Sequence, residues 1–275
     1  MGVFKAYDIR GIFPSELNED FAYTLGRALV VFLNATTLIV GRDVRLSSLR
    51  LHRRFVDGIT DQGCDVQDIG VCSTNMIYFA ARKGDAAIIT ASHTPKEYNG
   101  FKLCRKGAVP IGQESGLREL EALVAANSFT RQKKGDIKKL DILSSFVDDV
   151  VSYGANVKPL KIVVDAGNGC AGIAVGKILE KLDIEMIPLF FEQDGGFPGR
   201  GPNPLLEGAT DALQKKVIAS KADFGVAYDA DCDRVFFVDE KGVTIQADLI
   251  TALIAEELLK KQPGATILYD LRSSW

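Results

Sequence analysis

The chain is poor in the features that mark a disulfide scaffold, a nucleic-acid binder or a membrane protein. Its five cysteines (64, 72, 104, 170 and 232) form no C-x-x-C pair and no repeating spacing, which favours a reducing compartment over a disulfide framework. Net charge is only −3 over 275 residues, so nothing recruits nucleic acid or an anionic membrane globally. The longest apolar runs, such as 28–33, fall well short of the roughly 20 residues that a bilayer-spanning helix needs. The first ten residues carry Lys5, Asp8 and Arg10, and they show neither a signal nor a transit peptide. These shortages point to a soluble, cytoplasmic protein, long enough for about two domains.

Three strand-like runs, 37–43, 161–165 and 266–270, each end in an aspartate and each stand near a helix pattern. Their aspartates lie 122 and 105 residues apart, which is domain spacing. The runs are rich in β-branched residues and Leu without polar alternation, the pattern of strands covered on both faces. Helix patterns at 48–62, 171–182 and 248–261 complete strand–helix units. The expected fold is α/β: two successive similar domains with mixed, largely parallel sheets covered by helices, plus the start of a third. The expected boundaries are 1–145, 146–245 and 246–275. A helix at 142–151 is expected to carry the chain from the first domain to the second, and a basic stretch at 50–54 to be the solvated face of a helix.

Two loops carry the chemistry. One is Thr90-Ala91-Ser92-His93-Thr94-Pro95, followed by Tyr98-Asn99-Gly100-Phe101-Lys102, directly after the apolar run 85–90. Ser92 is a weak nucleophile unless a base, a metal or a carried phosphate activates it; the plainer reading is a turn cap before Pro95. Lys102 could neutralise a phosphate, or act as general acid or base once neighbouring cations and desolvation lower its pKa. The other loop, Asp229-Ala230-Asp231-Cys232-Asp233-Arg234, follows the apolar run 223–228. On an extended loop its alternating carboxylates would point one way and suit a hard cation such as Mg²⁺. An exposed acidic turn is the plainer reading, but apolar residues on both sides bury the ends of the loop, and three like charges held there are costly without a cation. An EF-hand is excluded, because Arg234 stands where that loop needs glycine. Since ligands in open α/β sheets bind where loops leave strand ends, the two loops should share a cleft.

Three further stretches have more than one reading. Arg10, before a glycine turn, is either an anion clamp or an ion-pair partner of Asp8. The stretch from Gly167 to Gly172 matches G-x-G-x-x-G, with Glu192 twenty residues on, so a nicotinamide-dependent oxidoreductase is a competing reading. Asp165, two residues before the first glycine, would repel a pyrophosphate, which favours a tight strand-to-helix turn instead. The glycine- and proline-rich 195–204 is expected to be an ordered loop at the cleft rim.

Seven strings together resemble the α-D-phosphohexomutase family, most closely its bacterial phosphomannomutase/phosphoglucomutase branch. They are 4–11, 41–45, 90–95 with 98–102, 165–169, 197–205, 229–234 and 270–275, in order along the whole chain. The resemblance implies that Ser92 is phosphorylated in the resting enzyme. It also implies that Asp229, Asp231 and Asp233 hold Mg²⁺ with an oxygen of that phosphoserine. Arg10 and Lys102 match active-site cations, for phosphate stabilisation and proton transfer, Arg234 a substrate-contacting arginine, and Tyr7 and His93 site-lining positions. The implied reaction interconverts hexose 6- and 1-phosphates, of mannose or glucose, through a bound hexose 1,6-bisphosphate.

Thr94 departs from the family's usual asparagine, and Ala230 and Cys232 stand where glycine or alanine is common. Family members have four domains, the third with a sugar-selecting G-E-x-S-G-H loop and the fourth with a phosphate-binding loop, and neither loop occurs in this chain. The expectation is therefore an N-terminal part, poor or inactive as a complete mutase, that still binds Mg²⁺ and takes a phosphate on Ser92. A non-catalytic binding or regulatory relative that keeps the old site is the alternative. The only partners expected are small sugar phosphates, with no nucleic acid and no membrane. Neither the preferred hexose nor the oligomeric state is legible.

Overall fold

The computed structural model describes residues 2–130, 132–154 and 157–269. The first sheet is built from β1 (Ile9–Ile12), β2 (Thr37–Arg42), β3 (Asp65–Val71), β4 (Ala86–Ile89), β5 (Tyr98–Arg105), β6 (Val109–Pro110) and β7 (Ile137–Lys139). Their order is β1-β5-β4-β2-β3-β7, with β6 paired to β5. The pairs β2–β3, β2–β4 and β3–β7 are parallel, whereas β5 runs antiparallel to both β4 and β1. The second sheet has the order β12-β11-β10-β8-β9, from β8 (Lys161–Asp165), β9 (Glu185–Leu189), β10 (Phe224–Tyr228), β11 (Val235–Asp239) and β12 (Thr244–Ile245). Here β8 pairs in parallel with β9 and β10, and β11 closes the far side antiparallel. Both sheets are mixed and carry helices, as the apolar strand runs imply.

Helices α1 (Glu19–Leu33), α2 (Ser48–Asp61) and α4 (Leu117–Ala126) cover one face of the first sheet through Leu25, Leu29, Phe55, Ile59 and Leu120, all fully buried. The sequence places these apolar residues at helical spacing, so each helix has one stripe to bury. Asn18 caps α1 by accepting from the Phe21 amide at 2.9 Å. The basic stretch of α2 divides as expected: Arg50 and Arg54 pair with acidic residues at the surface, while Leu51 and His52 turn inward. On the other face, α3 (Thr74–Ala81) and α5 (Leu143–Val151) form a second core that also takes in Ala174 of α6 (Ala171–Lys181). The helix expected at 142–151 thus carries the chain across by packing against the next unit. In that unit, α6 and α7 (Asp211–Ser220) cover opposite faces of the second sheet. The five cysteines are all free and buried.

One close approach fixes the edge of the first sheet. Gly100 of β5 lies opposite Arg10 of β1, and a Cβ there would stand 2.1 Å from the Ile9 carbonyl oxygen. Only glycine allows the strand carrying Arg10 to pair at this register.

The third unit differs from expectation. Its helix forms, as α8 (Ala247–Lys261), but none of its residues is buried. The expected strand 266–270 does not form over 266–269, which is irregular and exposed; Asp270 and the rest of the 270–275 motif lie outside the described residues. A strand needs a neighbour for its backbone groups, and among the described residues this segment has none.

Candidate active site

Parallel strands deliver the two loops to one place. The serine loop leaves the C-terminal end of β4, beside β2; the acidic loop leaves the C-terminal end of β10, beside β8. Across the join, Ser92 Oγ donates to Asp229 Oδ2 at 2.9 Å, over 137 residues of sequence. Both side chains are fully buried. Ser92 has φ 51°, the left-handed region that a non-glycine residue occupies only where its surroundings impose it. The Thr90 hydroxyl accepts from the Ser92 amide at 3.0 Å, and Thr94 Oγ1 donates to the Ala91 carbonyl at 2.8 Å. Thr94 therefore keeps the turn closed, and the turn-cap reading of Ser92 gives way to a hydroxyl aimed at a carboxylate.

The acidic loop converges by a different route from the one its alternation suggests. It is a tight turn rather than an extended strand, with Cys232 at φ 62° and its amide donating to the Asp229 carbonyl at 3.0 Å. Asp229 Oδ1 gathers the amides of Asp233 and Arg234, each at 3.1 Å. Asp231 is tied to the first sheet's unit: Thr74 Oγ1 donates to its Oδ2 at 2.7 Å, and the Thr74 amide to its carbonyl at 3.0 Å. Asn75 adds a 2.6 Å bond to the Cys232 carbonyl. Thr74 and Asn75 open α3, so that helix's positive end faces the Asp231 carboxylate. Sequence reasoning passed over both, although Ser73 and Thr74 mark a helix start.

Lys102, on β5, joins the loops electrostatically, with Nζ 2.6 Å from Asp231 Oδ2 and 2.5 Å from Asp233 Oδ2. Burial works to lower its pKa, but the two carboxylates outweigh burial and hold the ammonium above its ordinary value. The lowered pKa on which the acid–base reading of Lys102 depends is therefore absent, and the side chain stays a cation, as the phosphate-neutralising reading requires. Burial, with the charges of Asp231 and Asp233 behind it, pushes the Asp229 carboxyl up to about 8. Asp231 is also penalised by burial, yet Lys102 and Thr74 hold it below the usual range.

One carboxylate oxygen from each of Asp229, Asp231 and Asp233 lies within 4.8 Å of the others. Asp231 Oδ1 and Asp233 Oδ1 are buried without a hydrogen-bond partner. Three carboxylates gathered this closely, two of them with a buried oxygen that no protein donor satisfies, fit a small hard cation such as Mg²⁺.

The remaining site candidates lie at graded distances. His93 Nδ1 is 3.5 Å from Ser92 Oγ, at the outer limit of a hydrogen bond. Burial, then the charges of Arg234 and Arg10, depress its pKa, so the imidazole is neutral near pH 7. Arg10 pairs with Asp8 and leaves Nε buried without a partner. The ion pair with Asp8 expected as the plainer reading is therefore present. Arg234 Nε lies 4.0 Å from Asp229 and 3.8 Å from Asp233, with its side chain 40 % exposed. Tyr7 is 85 % exposed, and its ring is not packed into the cluster.

The glycine motif at 167–172 serves the protein rather than a dinucleotide. A Cβ on Gly167 would lie 2.7 Å from the Arg200 guanidinium, one on Gly169 2.5 Å from the Ala230 carbonyl, and one on Gly172 2.6 Å from the Phe191 carbonyl. Arg200 sits on the turn itself, donating to Asp165 Oδ2 at 2.6 Å and to the Tyr228 carbonyl at 2.5 Å. Where a pyrophosphate would approach, the turn is already filled. Arg200 comes from the glycine- and proline-rich loop, which is ordered as expected.

Comparison with known sequences and structures identifies the family. The phosphoglucomutase/phosphomannomutase α/β/α domain I matches residues 1–131, and domain II of the same family matches 144–242. The chain belongs to the α-D-phosphohexomutase family, in its bacterial branch. A phosphomannomutase of Escherichia coli is 44 % identical over 285 residues, covering 99 % of this chain and 63 % of its own length. A protein of Xanthomonas campestris described as phosphohexose mutases is 41 % identical over 279 residues, covering 99 % of this chain and 62 % of its own length. The chain thus spans a little under two thirds of these relatives. Among solved structures, a phosphoglucomutase/phosphomannomutase family protein of Burkholderia thailandensis superposes with TM-score 0.88 at 34 % identity, over 96 % of this chain and 60 % of that one.

Proposed function

We propose that the chain is the phosphoryl-carrying part of a hexose phosphate mutase, with Ser92 as the carrier. The observation that carries the proposal is the contact of Ser92 Oγ with Asp229 beside two unpartnered carboxylate oxygens and a buried lysine. In the loading half-reaction, Ser92 Oγ attacks a phosphorus of a hexose 1,6-bisphosphate. The Oγ–P bond forms, the P–O bond to the sugar breaks, and the proton lost from the serine ends on the released sugar oxygen. The reverse transfer, to a hexose 1- or 6-phosphate, regenerates the bisphosphate. Asp229, Asp231 and Asp233 would hold Mg²⁺, which would supply charge neutralisation for the transferred group.

The residues of the chain do the rest. Lys102 stays protonated and neutralises phosphoryl charge. Arg10, with a free buried Nε, and Arg234, half in solvent, are placed to contact substrate phosphate and hydroxyls. Neutral His93 lines the serine, and exposed Tyr7 lies at the rim. The domains proposed are 1–145 and 146–245, with 246–275 beginning a third. Mannose and glucose phosphates are the substrates favoured by the relatives' names, and five free thiols fit a cytoplasmic setting.

Mixing the chain with glucose 1,6-bisphosphate and Mg²⁺ tests this reading. One hexose monophosphate is expected per chain, in a burst that Ser92→Ala abolishes. No burst, or an undiminished burst from Ser92→Ala, would remove the carrier assignment.

A further inference from the structure

Arg45 has no role in the reaction outlined above, yet its side chain is completely buried beside the serine loop. Its guanidinium gathers four carbonyls of that loop. Nη2 donates to Ser92 and Thr94 oxygens, both at 2.7 Å, and Nη1 to those of Pro95 at 2.8 Å and Tyr98 at 3.1 Å. Nε faces Asp43 Oδ2 at 3.2 Å, and Asp43 Oδ1 in turn accepts from the Ser48 hydroxyl at 2.5 Å. The carbonyl direction at Ser92 follows from its left-handed backbone, so a donor fixed at that oxygen holds the conformation that aims Oγ at Asp229. Only a planar fork with paired donors on both terminal nitrogens can serve all four carbonyls while its charge faces Asp43.

The guanidinium also faces the second unit. Its centre lies 5.4 Å from the Phe197 ring, which belongs to the glycine- and proline-rich loop. That loop is docked by a backbone bridge between Arg45 and Gly195, and a Cβ on Gly195 would stand 2.3 Å from the Val44 carbonyl. The same loop supplies Arg200 to the turn after β8 and to the Tyr228 carbonyl, immediately before the acidic loop. One guanidinium therefore touches both the backbone that sets Ser92 and the loop that braces its metal-binding partner.

We propose that Arg45 is a positioning residue for phosphoryl transfer: it fixes the serine loop in its reactive shape and ties that shape to the docking of 195–204. The inference rests on Ser92 being the phosphoryl carrier. The plainer role, neutralising Asp43, needs only a charge, so Arg45→Lys separates the two.

In the full chain, Arg45→Lys is expected to raise amide exchange across 92–98. It should also slow phosphoryl acceptance from glucose 1,6-bisphosphate about 100-fold at saturating donor, the scale of a small misplacement of a reacting group. The KM for the donor and the Mg²⁺-induced thermal shift should stay within about twofold, because the carboxylates are untouched. Phe197→Leu keeps the ion pair and an apolar side chain, and should move exchange and rate the same way by a smaller factor. It carries the test if Arg45→Lys does not fold. Wild-type exchange and rate in the folded variants would overturn the proposal. So would a rate lost only in step with the Mg²⁺ shift and the melting temperature. If the wild-type chain accepts no phosphoryl group, the carrier reading fails separately, and exchange across 92–98 decides whether Arg45 shapes the loop.

Discussion

Truncating Arg200 should unmask the cost of the aspartate beneath it. The Arg200 and Asp165 side chains are 4 % and 0 % exposed and meet at 2.6 Å, with a further guanidinium bond to the Tyr228 carbonyl. Arg200→Ala leaves a buried carboxylate without its counterion, a change that costs about 3–5 kcal/mol. At roughly 2–4 °C per kcal/mol for a chain of this size, the melting temperature should fall by about 6–20 °C. The pH dependence gives a sharper signature. Burial lifts the Asp165 carboxyl above its ordinary value, and the Arg200 charge opposes that lift. A carboxyl whose folded pKa exceeds its unfolded pKa weakens folding when ionised, and the weakening fades as the pH falls and it protonates. Without Arg200 the lift grows, so the deficit should be largest near pH 8 and shrink towards pH 5. Arg200→Ala with Asp165→Asn should be more stable than Arg200→Ala alone. Thermal melts at the two pH values decide the matter. A loss below about 1 kcal/mol, or a deficit that does not narrow on acidification, would refute the reasoning.

Three other expectations concern the loops and the first sheet. Mg²⁺ at about 100 times its dissociation constant should add about 2.7 kcal/mol to stability, and Asp229→Asn should lose most of that gain in a thermal-shift titration. Lys102→Ala should slow Ser92 phosphoryl acceptance by about 100-fold or more, measured by quenched-flow mass spectrometry, because it removes the only ammonium bonded to Asp231 and Asp233 among the described residues. Burial raises the Asp68 carboxyl, but its bond to His52 at 3.0 Å and the charge there outweigh burial and leave it depressed. That stabilisation is present above the ordinary carboxylate value and is lost as the pH falls through the depressed one. Asp68→Asn should therefore flatten the acid limb of a stability–pH profile, by no more than about 1 kcal/mol for a partly exposed pair.

Local pattern reached further into this site than into its supports. The strands before both loops were readable because they are short, apolar and end in turn residues. The convergence of Ser92 with three aspartates followed from loops leaving comparable strands in two similar units. The supports depend on tertiary distance. Asp43 follows β2, Asp165 ends β8, and both lie against buried arginines, but Arg45 is two residues away while Arg200 is 35 residues on, in a loop whose composition announced only irregularity. Thr74 reaches Asp231 across 157 residues, and no local signal links them. Alternation in the acidic loop suggested an extended segment; the left-handed Cys232 makes it a turn, because amide bonds to Asp229 determine its path. One of the two readings of Lys102 needed cations around it to lower its basicity, yet its nearest charges are the carboxylates. The expected strand 266–270 does not form over 266–269, where an apolar run has no neighbouring strand to pair with among the described residues.

The central claim is that Ser92 carries the phosphoryl group, and locating that group tests it most directly. After incubation with glucose 1,6-bisphosphate and Mg²⁺, fragment-ion mass spectrometry should find a single phosphoryl group on Ser92, with its occupancy dependent on Asp229. Phosphate on a neighbouring hydroxyl such as Thr94 or Ser47, or none on the chain at all, would contradict the account.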